Sequence, residues 1–442
     1  MLEIETITNQ NQFRRPQVQK DREEWEKIRK DVLDIIEQVQ EEGDRALIDL
    51  TEKFDGVRLR PEELRVSREE IQGAKSSLDQ KILSALKKAR DNIFDFHSRQ
   101  KRDSWSTCVR DGVLIGQKVT PIDRIGIYIP GGKAVYPSTI LMIAVPARVA
   151  GVGEIAMCTP PGPQGALHPL ILAVADMMDI GEIYRVGGAQ AIAALALGTE
   201  TISRVDKIFG PGNRYVEAAK RELFGVVGID LLAGPSEVVI LSDETGNATL
   251  IAADMIAQAE HDPDAISIVV TPVEELALGV RAEVERLATL AKRRDIIVSS
   301  LEKNARLVVV PSLREALKLV NDIAPEHVEL MVRDPLQMVE HICHAGAIFL
   351  GQSTPVAVGD YIGGTNHVLP TGGSARFSSC LGVDDFMKRS SILGYGPQNL
   401  EEDGEDILSL AMAEGLFAHA ESVSLRLKGL ARKDIPEKDR RT

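Results

Sequence analysis

From Arg124 onward the chain alternates short apolar runs with helical ones, and this alternation leaves few folds open. Arg124–Ile129 reads as a strand, Pro130-Gly131-Gly132 as a turn, and a helix follows from about Pro137 to Val149. The pattern repeats as strand Glu154–Thr159 with helix Leu167–Met178, then strand Ile183–Val186 with a helix through Leu197. A last unit pairs strand Val205–Phe209 with helix Tyr215–Leu223. Repeated βα winding of this kind gives a parallel sheet covered on both faces. Ligands of such sheets bind outside the carboxyl ends of the strands, near the point where strand order reverses.

A second α/β run follows, with strands expected at Val238–Leu241, Ser267–Thr271, Ile296–Ser299, Leu307–Val310, Val328–Met331 and Ala347–Leu350. Two runs of similar style suggest two related sheets, although no internal repeat is visible between them. Residues 21–102 read as mostly helical, with apolar residues at Ile28, Val32, Ile35, Ile36 and Val39 and a short strand near Leu64–Val66. After Gly382 the chain becomes a loop-rich arm with one good helix, Glu405–Leu425, and a charged end from Lys433 to Thr442. The expected fold is therefore α/β: two Rossmann-like parallel-sheet domains lacking the usual GxGxxG, a helical N-terminal region and an extended C-terminal arm.

A chain of 442 residues is too long for one ordinary core, so more than one domain is expected. The net charge of −14 argues against nucleic acid and anionic membranes as partners. The most apolar stretch, Thr139 to Cys158, is broken by Pro146, Arg148 and Glu154, and the N-terminus lacks the shape of a signal peptide. Cys108, Cys158, Cys343 and Cys380 are scattered without paired spacing, as in a reducing cytoplasm. A cytoplasmic enzyme is the reading.

The chemistry-bearing residues fall in separate places. Gln258 and His261 close an apolar-periodic stretch, and their spacing of three places them on one face of a helix. With Asp360 and His419 they make an amide, a carboxylate and two imidazoles, a zinc set without thiolate. A polar helix end is the plainer alternative for the first pair, and a satisfied surface or core histidine for His419. Glu326 and His327 put a carboxylate beside a titratable imidazole. Both can address one site only from a loop conformation, because adjacent strand residues face opposite ways. His367 sits in a turn rich in Gly, Thr and Asn, which exposes it.

Gly151-Val152-Gly153 lies between a helix and a strand, the reverse of a dinucleotide fingerprint. The turns after Ile129, Val186 and Phe209 have the right order, and their helix N-termini suit phosphate. Tight βα turns also use glycine for structural reasons alone. His341-Ile342-Cys343-His344 holds strong ligand types but has no partner cluster, so packing or surface is the better reading. His97 and His168 have still less around them.

Read together, these segments resemble histidinol dehydrogenase. The resemblance runs through nearly the whole chain, from Gly43-Asp44 and Phe54-Asp55-Gly56 to Ala418-His419. It rests on eight ordered blocks. The first are Arg124–Gly132, Val186–Ile192, Phe209–Asn213 and Ala233–Glu237. The rest are Gln258–Asp264, Ala324–His327, Asn366–Thr371 and Glu414–His419.

The resemblance implies NAD-dependent, four-electron oxidation of L-histidinol to L-histidine through a bound L-histidinaldehyde, the last step of histidine biosynthesis. It implies one zinc ion per subunit on Gln258, His261, Asp360 and His419. His327 becomes the base of both hydride steps, and Glu326 activates the water that hydrates the aldehyde. Ser236, His367 and Glu414 match the substrate contacts, with the metal ligands and His327. Tyr128, Gln190 and Asn213 match the NAD contacts. The implied assembly is a homodimer whose C-terminal arms cross, so that Glu414 and His419 complete the other subunit's site. The implied division is an N-terminal arm (1–20), a larger α/β domain (21–126 with 237–380) holding metal and catalytic residues, a second Rossmann-like domain (127–236) for NAD, and the exchanged arm (381–442).

Three rivals remain at this level. A sister dehydrogenase of the same fold would act on a sulfonated diol or another amino alcohol. A sulfonate calls for Arg or Lys beside the substrate motifs, where none stands. A zinc hydrolase would use Glu326 as base but leave the three Gly-rich turns without a job. A non-catalytic paralogue would bind without turnover.

Overall fold

The computed structural model describes residues 2–8, 12–16, 22–131, 135–232 and 234–433; Gly132, Ala233 and the charged end from 434 lie outside the described residues. The chain forms two compact units, residues 1–101 with 122–386, and residues 102–121 with 387–442.

The first unit carries two parallel sheets. One contains β4 (Arg124–Tyr128), β5 (Glu154–Cys158), β6 (Glu182–Tyr184), β7 (Lys207–Phe209) and β8 (Gly228–Ile229), in the order β6-β5-β4-β7-β8. The other contains β1 (Ile4–Thr6), β9 (Glu237–Ser242), β10 (Ile266–Thr271), β11 (Ala305–Val309), β12 (His327–Met331) and β13 (Ala347–Leu350), in the order β1-β11-β10-β9-β12-β13. In both sheets the first strand of the winding is central, the next two run to one side and the last two to the other. The two runs therefore share a topology, as their similar style suggests, although no repeat links their residues. Strand order reverses between β4 and β7 in one sheet and between β9 and β12 in the other.

The strands read as continuous apolar runs because both faces are covered: β9 and β10 are buried along their whole length. Residues 4–6, expected to belong to an N-terminal arm, instead add an edge strand to the second sheet beside β11. The strand expected at Ile296–Ser299 is part of a helix, Arg294–Asn304. Its buried residues Ile297, Ser300, Leu301 and Asn304 lie on one helical face, and that packing overrides the β-branched run. The strand expected near Leu64–Val66 is reduced to a single bridge between Arg65 and Tyr184.

The helices of residues 22–98 pack on the first sheet, whereas the sequence grouping places them with the second. Helix Arg22–Glu42 lies against Gly188–Leu197 and Arg214–Leu223, and helix Gln80–Ser98 against Pro137–Ala150. Among the described residues, no helix is long and apolar enough to cross a membrane.

The second unit is an antiparallel sheet, β14-β3-β2, formed by β2 (Trp105–Arg110), β3 (Val113–Pro121) and β14 (Met387–Tyr395). Two helices follow, Pro397–Ala413 and Phe417–Lys433, in place of the single helix expected over 405–425. Gly415 takes φ 74° at the break, a left-handed conformation cheap only for glycine. The two helices pack on each other at Gly404, where an added Cβ would meet Leu427 Cδ1 at 2.8 Å.

Candidate active site

At the amino end of the second sheet, Glu237 opens β9 and His327 opens the neighbouring β12. Helix Leu313–Ile323 is stopped just before them by Ala324, whose φ of 49° is unusual for a residue with a side chain. Glu326 therefore precedes the strand and His327 begins it. This is how both side chains reach one place, with His327 Nδ1 3.4 Å from Glu326 Oε2. The backbone N–H of Glu237 donates to Glu326 Oε2 at 2.8 Å, and its carbonyl lies 2.8 Å from His327 Nδ1. A carbonyl can only accept, so Nδ1 carries the hydrogen and Nε2 is left with its lone pair.

Burial drives both groups toward their neutral forms. It raises the Glu326 carboxyl well above the ordinary range, opposed by the Glu237 N–H and reinforced by the charges of Glu237 and Asp360. It lowers the His327 imidazole to about 4, with His261 and His367 adding to the effect. At neutral pH His327 is a neutral base.

Four further segments carry the other expected residues, and of these Asp360, His261 and His367 act electrostatically on the pair. Gln258 is buried near the end of helix Ala248–Ala259, and its Nε2 has no hydrogen-bond partner. His261 lies just past that helix rather than on its face, with its N–H 3.3 Å from the Gln258 carbonyl. It is exposed at its surface, yet the protein around it withdraws enough water to lower its imidazole. Asp360 sits in the short helix Val356–Tyr361, and burial raises its carboxyl to about 6. His367, expected to be exposed, keeps only 16% of its side chain accessible. Its Nδ1 is 3.2 Å from the Asp360 carbonyl and its Nε2 3.4 Å from Thr139 Oγ1. Ser236 is half-buried immediately before β9. Glu414 and His419 belong to the second unit, both exposed, one capping helix Pro397–Ala413 and the other in the first turn of Phe417–Lys433. Among the described residues, no three His, Cys, Asp or Glu side chains form a metal-holding group.

The Gly-rich turns after Val186 and Phe209 open at the carboxyl end of the first sheet, and the one after Ile129 runs into residues outside the described ones. Tyr128 ends β4, and its hydroxyl accepts the Gly188 N–H at 3.1 Å. Gln190 is buried in helix Gly188–Leu197. The Asn213 side-chain oxygen caps the next helix, accepting from Tyr215 and Val216 N–H, so its amide nitrogen is the part left for a ligand. Tyr128 and Asn213 thus flank the reversal between β4 and β7, the position such sheets use for ligands. The glycines have structural reasons too. A Cβ on Gly187 would meet Pro160 Cβ at 2.6 Å, and one on Gly210 would collide with the Tyr128 carbonyl oxygen. This carboxyl edge meets the amino edge of the second sheet. The contacts include Thr139 with His367, Arg214 with Asp264 at 3.2 Å and Gly234 N–H with Thr371 Oγ1 at 2.6 Å.

The histidinol dehydrogenase family profile matches residues 18–427. The chain belongs to the histidinol dehydrogenase family. It is 51% identical over 403 residues to histidinol dehydrogenase of Geobacillus kaustophilus, covering 91% of this chain and 95% of that one. It is 50% identical to the Synechococcus sp. enzyme over 401 residues, covering 91% and 92%. The crystal structure of histidinol dehydrogenase from Elizabethkingia anophelis superposes with a TM-score of 0.88 at 37% identity, covering 98% of this chain and 99% of that one. The two-sheet α/β fold is that of a histidinol dehydrogenase, an oxidoreductase of the last step of histidine biosynthesis.

Three residues around this family's site escape a reading of the sequence. His97, isolated in the sequence, is fully buried with Nδ1 2.8 Å from Gln100 Oε1 and Nε2 3.3 Å from the amide nitrogen of Asn366. It thus anchors the residue before His367. Glu237 stands one residue before the expected strand Val238–Leu241, at the end of the block Ala233–Glu237, and Arg15 falls in the expected arm; neither is assigned a role by its neighbours in sequence. His168 proves to be a helix cap, its Nδ1 3.2 Å from the Leu170 N–H. The His341–His344 segment is tied to Asn321 through backbone atoms, in keeping with a packing role.

Proposed function

We propose that this chain oxidises L-histidinol to L-histidine through L-histidinaldehyde, reducing two NAD per histidinol and consuming one water. The observation that carries the reading is the Glu326–His327 pair, buried and keyed to the Glu237 backbone, together with the strand reversal of the first sheet, the position such sheets use for a nucleotide. NAD, the hydride acceptor of both steps, is assigned to Tyr128, Gln190 and Asn213.

The residues present fit a zinc ion. Gln258 is a buried amide with an unpartnered nitrogen, and an amide is readily turned to offer its oxygen. The Asp360 carboxyl is disfavoured as an anion by burial, a penalty that a cation reverses, and His261 adds a neutral imidazole. Gln258, His261 and Asp360 would hold the ion, with His419 supplied by a second copy of the chain. Bound there, zinc supplies positive charge that orients the substrate's imidazole and amine and favours ionised carboxylates nearby.

The protein's own groups move the protons. His327 Nε2 takes the alcohol proton as hydride leaves the carbinol carbon. Glu326, ionised, takes a proton from the water that adds to the aldehyde. His327 serves again as the hydrate is oxidised. Ser236 and His367 contact substrate, as does Glu414 of the second copy, and Glu414 and Asp360 favour a substrate bearing a protonated amine. A homodimer with shared sites, in the cytoplasm, completes the proposal. The second unit supports it by exposing Leu393 at 71%, Leu410 at 67% and Phe417 at 64%.

The test is to mix zinc-loaded protein with L-histidinol and NAD and count NADH per histidinol. Two per histidinol, formed on the order of 10²–10⁴-fold more slowly in His327→Ala, is the expected result. Turnover of a sulfonated diol with none of histidinol would overturn the substrate assignment.

A further inference from the structure

Both candidate catalytic side chains hang from one backbone unit: Glu237 holds Glu326 through its N–H and His327 through its carbonyl. Whatever sets the position of Glu237 therefore sets both. Its side chain is 4% accessible and ends in a carboxylate, a group that must be compensated when buried. Oε1 accepts the Gly372 N–H at 3.2 Å and an ion-paired hydrogen bond from Arg15 Nη2. Arg15 comes from the N-terminal segment, 222 residues away in sequence.

The same guanidinium does a second thing. Its Nη1 donates to the Ile323 carbonyl at 2.9 Å. Ile323 ends the helix before Ala324, and its carbonyl is among those a helix end leaves without an intrahelical partner. One planar fork thus spans the start of β9 and the root of the loop that carries Glu326 and His327. Gly373 lets it fit, since a Cβ there would lie 2.8 Å from Nη1.

We propose that Arg15 is a positioning residue for the Glu326–His327 pair, acting through Glu237 and the Ile323 carbonyl. Its role is one of position, through these two hydrogen bonds. This rests on the reading of Glu326 and His327 as the proton-handling groups. A lysine keeps the charge but not the fork, so it fills one role and loses the other.

The experiment is steady-state kinetics of Arg15→Gln and Arg15→Lys with L-histidinol and NAD on zinc-loaded protein, with thermal unfolding as a check on folding. Arg15→Gln is expected to lower kcat between ~10- and ~100-fold, the scale of a small misplacement of reacting groups. KM for both substrates should stay within about twofold, and Arg15→Lys should fall between wild type and Arg15→Gln. The deciding arm repeats Arg15→Gln in a His327→Asn background. A residue that works through the pair loses at least about threefold of its effect there, whereas one that merely stabilises the fold keeps it whole. A kcat equal to wild type in both single variants, or an undiminished effect in the His327→Asn background, would overturn the inference. If Arg15→Gln fails to fold, Arg15→Lys in both backgrounds decides the matter by the same comparison. Absence of histidinol turnover by the unaltered protein would sink the functional reading instead, and is seen before any variant is made.

Discussion

The carbonyl oxygen of Glu237 lies 2.8 Å from Nδ1 of His327, which fixes the imidazole tautomer and leaves Nε2 with its lone pair. A base set in this way needs no carboxylate to fix its tautomer. The sign of its titration follows from its burial.

His327 titrates at about 4 in the folded, metal-free protein because burial disfavours the imidazolium. The unfolded chain takes up this proton near pH 6.5 and the folded one does not. The contribution to stability is thus present above pH 6.5 and lost as pH falls toward 4. In NMR titration the His327 ring should stay neutral through pH 5. A ring that titrates near 6.5 would show that the site is wetter than its burial implies.

Zinc should stabilise the protein through Gln258, His261 and Asp360. A ligand at 100 times its dissociation constant adds about 2.7 kcal/mol to a protein that binds it only when folded. Thermal unfolding with and without zinc should show the rise in Tm, and His261→Ala should abolish most of it. An equal rise in both proteins would place the ion elsewhere.

Gly210 takes φ 121° with the Tyr128 carbonyl pressed against the space a Cβ would need. Gly210→Ala should therefore cost about 3 kcal/mol or more in urea unfolding and raise KM for NAD. Tyr128→Phe removes the acceptor of the Gly188 N–H, at a cost of about 1–3 kcal/mol. A Gly210→Ala protein of unchanged stability would show that this turn rearranges freely.

The Lys220–Asp230 pair, with side chains 3% and 2% accessible, holds the same turn from beneath. Lys220 donates to the Gly210 carbonyl at 3.1 Å, and Asp230 accepts the Gly210 N–H at 2.8 Å. Lys220→Met strands a buried carboxylate and should cost about 3–5 kcal/mol. Adding Asp230→Asn should recover part of that while keeping an acceptor for Gly210. Full additivity of the two changes in chemical denaturation would mean that the pair does not act as a unit.

Much of the candidate site is legible along the chain. Gln258, His261, Glu326, His327 and Asp360 stand out as charges or ligand types in local motifs, and the three turns by their order of strand, glycine and helix. The edge used by the second sheet is not legible. The expectation that sheets bind ligands at their carboxyl ends describes the first sheet, where Tyr128 and Asn213 flank the strand reversal, but Glu326 and His327 stand at the amino end of the second. Periodicity reports which face of a strand is buried and is silent on which end meets another sheet.

By itself the sequence determined what depends on neighbours along the chain: strands of continuous apolar residues, most of the helices between them, and the Gly-rich turns that join strand to helix. It also determined the family, through ordered motifs that span nearly its whole length. Only the tertiary structure decided that residues 296–299 are helical, that Ile4–Thr6 is an edge strand, and that His97, Arg15 and Glu237 stand behind His367 and the Glu326–His327 pair. These outcomes rest on burial and hydrogen bonds between segments up to 308 residues apart, a term in the free energy that no local pattern records.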